Sequence, residues 1–221
     1  MIYLYMKMNI LKSQLRRIIN EEIELALLQE AAKGAQDLPE DVFVVIAPIS
    51  GYPGETRIFF GTRSDGRIET SRDPYGSMNI KKSQEGSCGG AWKVQSVSAD
   101  DGWGPMLYDI AMEWATLNGG GLIADRLTVS GEAREVWDYF LHRRSDVTPH
   151  QLDNLENELT PDIKDDNCNQ RTAAWNDWAI DPKDMDTKDK WAESPLSKRY
   201  TKKPETMQEL KWFKKLVEKT T

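Results

Sequence analysis

The 221-residue chain is poor in metal ligands: it has two cysteines, Cys88 and Cys168, and two histidines, His142 and His150. Neither pair has ligand spacing, so a structural zinc site is not expected. Two such distant cysteines fit free thiols in a reducing compartment; a disulfide between them is the alternative. No apolar run approaches the about 20 residues that a membrane span needs. The opening MIYLYMKMNIL is too short and too interrupted for a secretory signal. Positive charge is also in deficit. Lys and Arg number 29 against 36 Asp and Glu, giving a net charge of −7. No basic block suggests a nucleic-acid surface. Mean hydropathy is −0.63, polar for a compact enzyme, so some segments are expected to lie outside the core. What the chain has in plenty is tryptophan: eight residues imply a Trp-studded core or several surface anchors.

Hydrophobic period places the elements. Residues 10–33 carry Ile10, Leu11, Leu15, Ile18, Ile19, Ile23 and Leu27 at helical spacing on a charged rod. VFVVIAPI, from Val42, reads as a buried strand, and residues 56–71 as a hairpin. Residues 72–90 read as loop, and AWKVQSVSA as a strand. A Gly-Trp-Gly turn follows, and a helix over 104–117 opens on Pro105. GLIAD is a short strand, and Ser130 caps a helix over SGEAREVWDYFLHRR. Residues 146–194 read as an acidic loop tethered by tryptophans. SPLSKRYTK is a last strand or extended clamp, its basic residues paired internally, and residues 204–219 are a terminal helix. The expected fold class is α/β, a single domain with an open mixed, mainly antiparallel sheet flanked by helices. The expected divisions are an N-terminal amphipathic helix over 1–36, a core over 40–145 and an irregular C-terminal extension over 146–221.

Asp100-Asp101-Gly102-Trp103-Gly104-Pro105 is the first site candidate. A glycine turn between strand and helix gathers free N–H groups and suits an anion. It also serves as a plain tight turn, and both readings stand at this point.

Residues 92–144 resemble the core of the GNAT family of N-acetyltransferases. There a strand leads into a Q/R-x-x-G-x-G/A loop and a helix, and an N-x-x-A-x-x-x-Y helix follows. The resemblance covers about a quarter of the chain. It implies a GNAT-like fold and acetyl-CoA as cofactor, bound by Val97, Ser98, Gly102, Trp103, Gly104, Met106, Ser130 and Trp137. It also implies direct attack of an amine, from a protein or small molecule, on the thioester. The carbonyl would be held by a backbone N–H near Val97 or Ser98. Three departures stand out. Ala99 replaces Gln or Arg, Asp100 and Asp101 bring negative charge to the loop, and Ser130 and Trp137 replace the family's asparagine and tyrosine. Glu69 and Tyr139 are the candidate catalytic residues. Glu113 and Asp109 read as solvated helix carboxylates, and Asp125 and Arg126 as a structural pair with the next helix.

The N-terminal helix is similar to the leaders of tailed-phage internal head proteins, with Leu28-Gln29-Glu30 before Ala31 matching their cut site. That resemblance implies cleavage after Glu30, capsid or scaffold proteins as partners, and a place in the host cytoplasm or virion interior. A plain packing or oligomerisation helix is the alternative. The functional expectation is a phage-encoded N-acetyltransferase. The alternatives are a non-catalytic virion or interaction protein that has lost the cofactor, and a host-directed inhibitor. Neither membrane nor nucleic acid is an expected partner.

Overall fold

The computed structural model describes residues 32–64, 67–69, 73–84, 86–154, 158–170 and 188–219. The sequence-predicted helix before residue 32, the cut after Glu30, and Trp175 and Trp178 lie outside them. Ala32 and Lys33 are not helical, and Ala35–Asp37 forms a single 3-10 turn.

The strands are β1 (Val42–Pro48), β2 (Glu55–Ser64), β3 (Arg67–Glu69), β4 (Gly76–Lys82), β5 (Trp92–Ala99), β6 (Leu122–Ile123), β7 (Val147–Gln151), β8 (Lys198–Lys202) and β9 (Leu216–Glu218). The α-helices are α1 (Gly104–Asn118), α2 (Gly131–His142), α3 (Lys188–Glu193) and α4 (Glu205–Trp212). The strands join one mixed sheet in the order β7-β8-β6-β5-β4-β2-β1-β9, with β3 paired to β2 beside this path. Adjacent strands run antiparallel except β5 with β6 and β1 with β9. Parallel neighbours need a crossover. For β5 and β6 that crossover is α1.

Alternation builds the main core. Val42, Val44 and Ile46 of β1, Ile58 and Phe60 of β2, Met78 and Ile80 of β4, and Trp92 and Val94 of β5 share one cluster with α1. Phe43, Val45 and Phe59, between them in sequence, are buried as well, which is why β1 reads as an unbroken apolar run. Met106, Leu107, Tyr108, Ile110, Ala111, Met112, Glu113 and Ala115 of α1 are all buried, so this helix is enclosed on most sides. α2 begins as expected, with Ser130 Oγ accepting from Ala133 N at 3.2 Å.

Several expectations are corrected. Residues 76–82 are a strand, not loop: only Met78 and Ile80 are apolar and buried, too few to stand out among Gly, Ser, Asn and Lys. Among the described residues beyond Ser145, β7 and β9 join the sheet beside the expected last strand and terminal helix, so this part of the chain is not an irregular extension. The terminal helix stops at Trp212. Lys214 takes φ +57°, the chain turns, and Leu216–Glu218 pairs parallel to β1. Phe213, just past the end of the helix, is 45% exposed.

Cys88 and Cys168 are not free thiols. They form a disulfide, with Cα atoms 4.7 Å apart. Ala91, Ile123 and Leu152 pack around it in a second small cluster. The tether expected of residues 146–194 is therefore covalent, and Trp191, 1% exposed, adds to it by donating Nε1–H to Leu152 O at 2.6 Å. The basic stretch is paired internally as expected. Lys198 bonds Gln151 and Ala192 O, Arg199 donates to Gly120 O at 2.9 Å, and Lys202 meets Glu113.

Candidate functional site

β5 carries a bulge. Asn79 opposes Ser96 and Ile80 opposes Val94, so Gln95 has no partner on β4. The broken alternation in WKVQSVSA is its trace in the sequence. An extra residue bends a strand and re-aims its side chains. On the opposite edge, β5 pairs with β6 only at Trp92 and Lys93. From Val94 onward the two parallel strands part, while β5 stays paired to β4 as far as Ala99. A sheet that splits in its interior exposes backbone N–H and C=O groups along the free edge.

A cavity of about 180 Å³ fills the split. Val94, Gln95, Ser96 and Val97 of β5 form one wall. Asp125, Thr128 and Val129, after β6, form another. Ser130, Ala133 and Trp137 close it from α2, and Tyr108 from α1. Asp125 Oδ1 accepts from Leu127 N at 2.6 Å and Thr128 N at 2.9 Å, which folds this wall into a turn. Arg126, 9% exposed, does not pair with α2. It donates Nη1–H to Leu196 O at 2.7 Å and Nη2–H to Cys168 O at 2.9 Å. Burial lowers its pKa to about 10, still charged at neutral pH. Gln170 Nε2 donates to Asp125 O at 2.8 Å. The disulfide-bonded segment thus braces the outer wall of the cavity.

The glycine turn sits at the far end of β5. Gly102 has φ +83°, the left-handed region that glycine enters freely. Trp103 N donates to Asp100 O and Asp100 N to Tyr75 O, each at 3.1 Å. The Trp103 indole, 2% exposed, stacks on Tyr75 at 4.7 Å and meets Phe60 edge-on. The N–H groups of Gly104 and Met106 lie in the first turn of α1, where a helix has no acceptor for them. A Cβ at Gly104 would meet only Ala99 Cβ, at 3.8 Å, so packing does not demand glycine there. What the glycine adds is room for a close approach to its N–H.

The sequence-predicted residues divide accordingly. Val97, Ser130 and Trp137 line the cavity. Gly102 and Gly104 form the turn, and Ser98 is exposed between turn and cavity. The side chains of Trp103 and Met106 point into the core. Glu69 is exposed on β3, which pairs with β2 at Thr62–Ser64, and it does not line the cavity. Tyr139 packs against the core without lining the cavity. Asp100 and Asp101 are exposed, and neither lines the cavity.

Two carboxylates read as solvated are not. Glu113 is fully buried, with Lys202, Thr206 N (2.8 Å) and Met207 N (2.7 Å) as partners. Asp109 accepts from Arg144 Nη2 at 2.9 Å, and desolvation raises its pKa against the pull of Arg144 and Lys202. Sequence reading missed Tyr108, Gln95 and Thr128 as lining residues. Only the broken alternation at Gln95 could have hinted at them. Among the described residues no cluster could hold a metal ion, and no helix is long and apolar enough to cross a membrane. Comparison with protein families, curated proteins and solved structures found no match for this chain.

Proposed function

We propose that the chain is an acetyl-CoA-dependent N-acetyltransferase of the GNAT type, acting on an amine of a protein or small molecule. The observation that carries this reading is the bulge-and-split at β5. A cavity between two parallel strands continues along a free strand edge to a glycine turn and a helix N-terminus. This is a binding course for a long ligand with amides in its middle and phosphates at one end. The free edge of Ser96–Ala99 supplies donors and acceptors to the amides. The first-turn N–H groups of Gly104 and Met106 face the anionic end, which the positive end of the α1 dipole favours. When bound, acetyl-CoA supplies an activated acetyl thioester. The protein orients it, keeps water out of the cavity, and leaves the outer mouth to the amine.

Isothermal calorimetry tests this directly. Acetyl-CoA is expected to bind at millimolar concentration or below, and absence of binding there ends the reading. The acidic pair supplies a second expected result. A carboxylate about 4 Å from a phosphate costs on the order of 1 kcal/mol even in water. Asp100→Asn with Asp101→Asn is therefore expected to tighten acetyl-CoA binding by about fivefold or more in low salt. An unchanged affinity would place both carboxylates away from the phosphates.

One observation favours a second reading, a non-catalytic virion or interaction protein. Trp137 stands where the resemblance places a proton-donating tyrosine, and indole is not an acid. Binding without turnover would support that reading.

A further inference from the structure

A buried tyrosine hydroxyl normally finds a partner inside the protein. Tyr200 does so: its Oη donates to Pro195 O at 2.7 Å. Tyr108 is almost as enclosed, at 4% exposure, and lines the cavity. Its hydroxyl makes no hydrogen bond among the described residues, and burial raises its pKa. The ring is fixed rather than free to turn away. Trp137 meets it edge-on at 5.7 Å and Phe140 lies at the same distance. The ring is fixed and enclosed, while its hydroxyl is not one of the fully buried polar atoms and opens to the cavity, where a ligand atom can meet it.

Resting on the acetyltransferase reading, we propose that Tyr108 donates its phenolic hydrogen to the thioester sulfur and is the proton donor of the transfer. The other lining side chains do not offer this chemistry. Thr128 and Ser130 carry alkyl hydroxyls, far weaker acids, and Ser130 Oγ caps α2. Asp125 presents a carboxylate whose Oδ1 already accepts two N–H groups. Gln95 and Trp137 have N–H groups that do not ionise in water. Burial pushes the Tyr108 phenol up to about 12, so at neutral pH it holds its proton and acts as donor. In the step, the amine nitrogen bonds to the carbonyl carbon and the carbon–sulfur bond breaks. The bonding pair goes to sulfur, and the phenolic hydrogen follows it. The nitrogen releases one proton to solvent, and the phenolate recovers one from solvent. The products are an amide and a thiol. The phenol reaches the cavity from α1, beside Trp137 of α2, so the site has an acid although an indole stands where the resemblance places a tyrosine.

The test needs no acceptor amine. Coenzyme A and desulfo-coenzyme A differ only at sulfur. The protein is expected to bind coenzyme A about three- to tenfold more tightly, the worth of one hydrogen bond. Tyr108→Phe is expected to abolish that preference while leaving desulfo-coenzyme A affinity unchanged. The variant keeps the ring and loses no internal bond, so its melting temperature is expected to match or exceed that of the wild type. As a second readout on the unaltered protein, thiolate absorbance is expected to show the bound thiol ionising at lower pH than free coenzyme A. If neither compound binds, the acetyltransferase reading falls. If coenzyme A binds with equal preference in both proteins, or its thiol is not shifted, the Tyr108 assignment falls alone.

Discussion

Glu113→Ala is expected to lower folding stability by about 3–5 kcal/mol, the usual result of leaving one member of a buried ion pair alone. Glu113 is fully enclosed by α1's surroundings, and Lys202 of β8 is 5% exposed. Alanine would leave the ammonium buried beside Asp146, its remaining carboxylate neighbour, at 3.7 Å. It would also strip Thr206 N and Met207 N of their acceptors, and these are first-turn donors of α4. One carboxylate therefore joins the central helix to β8 and caps α4. Urea unfolding followed by tryptophan fluorescence measures the loss, and a change below about 1 kcal/mol would contradict this account. Glu113→Leu combined with Lys202→Met is expected to be milder than either change alone, because no unpaired charge remains.

The second large effect belongs to the disulfide. Cys88 and Cys168 are separated by 80 residues. A cross-link of that span restricts the unfolded chain by about 4.5 kcal/mol in the loop-entropy description. Cys168→Ala, or reduction of the intact protein, is expected to lower stability by about that amount. Thermal melts with and without a dithiol measure it. Equal melting temperatures, with reduction confirmed by thiol titration, would overturn the prediction. The small cluster of Ala91, Ile123 and Leu152 around the bridge is too slight to replace it.

Elements with a full period were legible in the sequence. β1, β2, α1 and α2 repeat apolar residues often enough to declare themselves, β5 does so despite its break, and the Ser-Asp-Gly-Arg turn marks the β2–β3 hairpin. β4 and β9 did not. β4 has two buried apolar residues, and the leucine and valine of β9 continue the helical spacing of α4. That continuation ends through the left-handed backbone of Lys214, which nothing about lysine announces. Glu113 was misread for a related reason. A glutamate at a helical position is solvated unless the helix is enclosed, and enclosure of α1 depends on β8 and α4, more than 80 residues away. The turn at 101–104 was legible as a turn. The cavity was not, because it arises from a separation between β5 and β6 that a one-dimensional pattern does not contain. Tyr108 lies in a run of apolar helix residues and reads as core until that separation is seen.

The bridge between Cys88 and Cys168 also reaches the cavity through Arg126 and Gln170, which hold its outer wall from the cross-linked segment. Cleaving it would let that wall breathe without altering any residue that lines the cavity. Stiffness of the mouth is then a property of the buffer as much as of the chain. Titrations of the proposed ligand in thiol-free solution and in dithiothreitol would compare one cavity lining under two tensions.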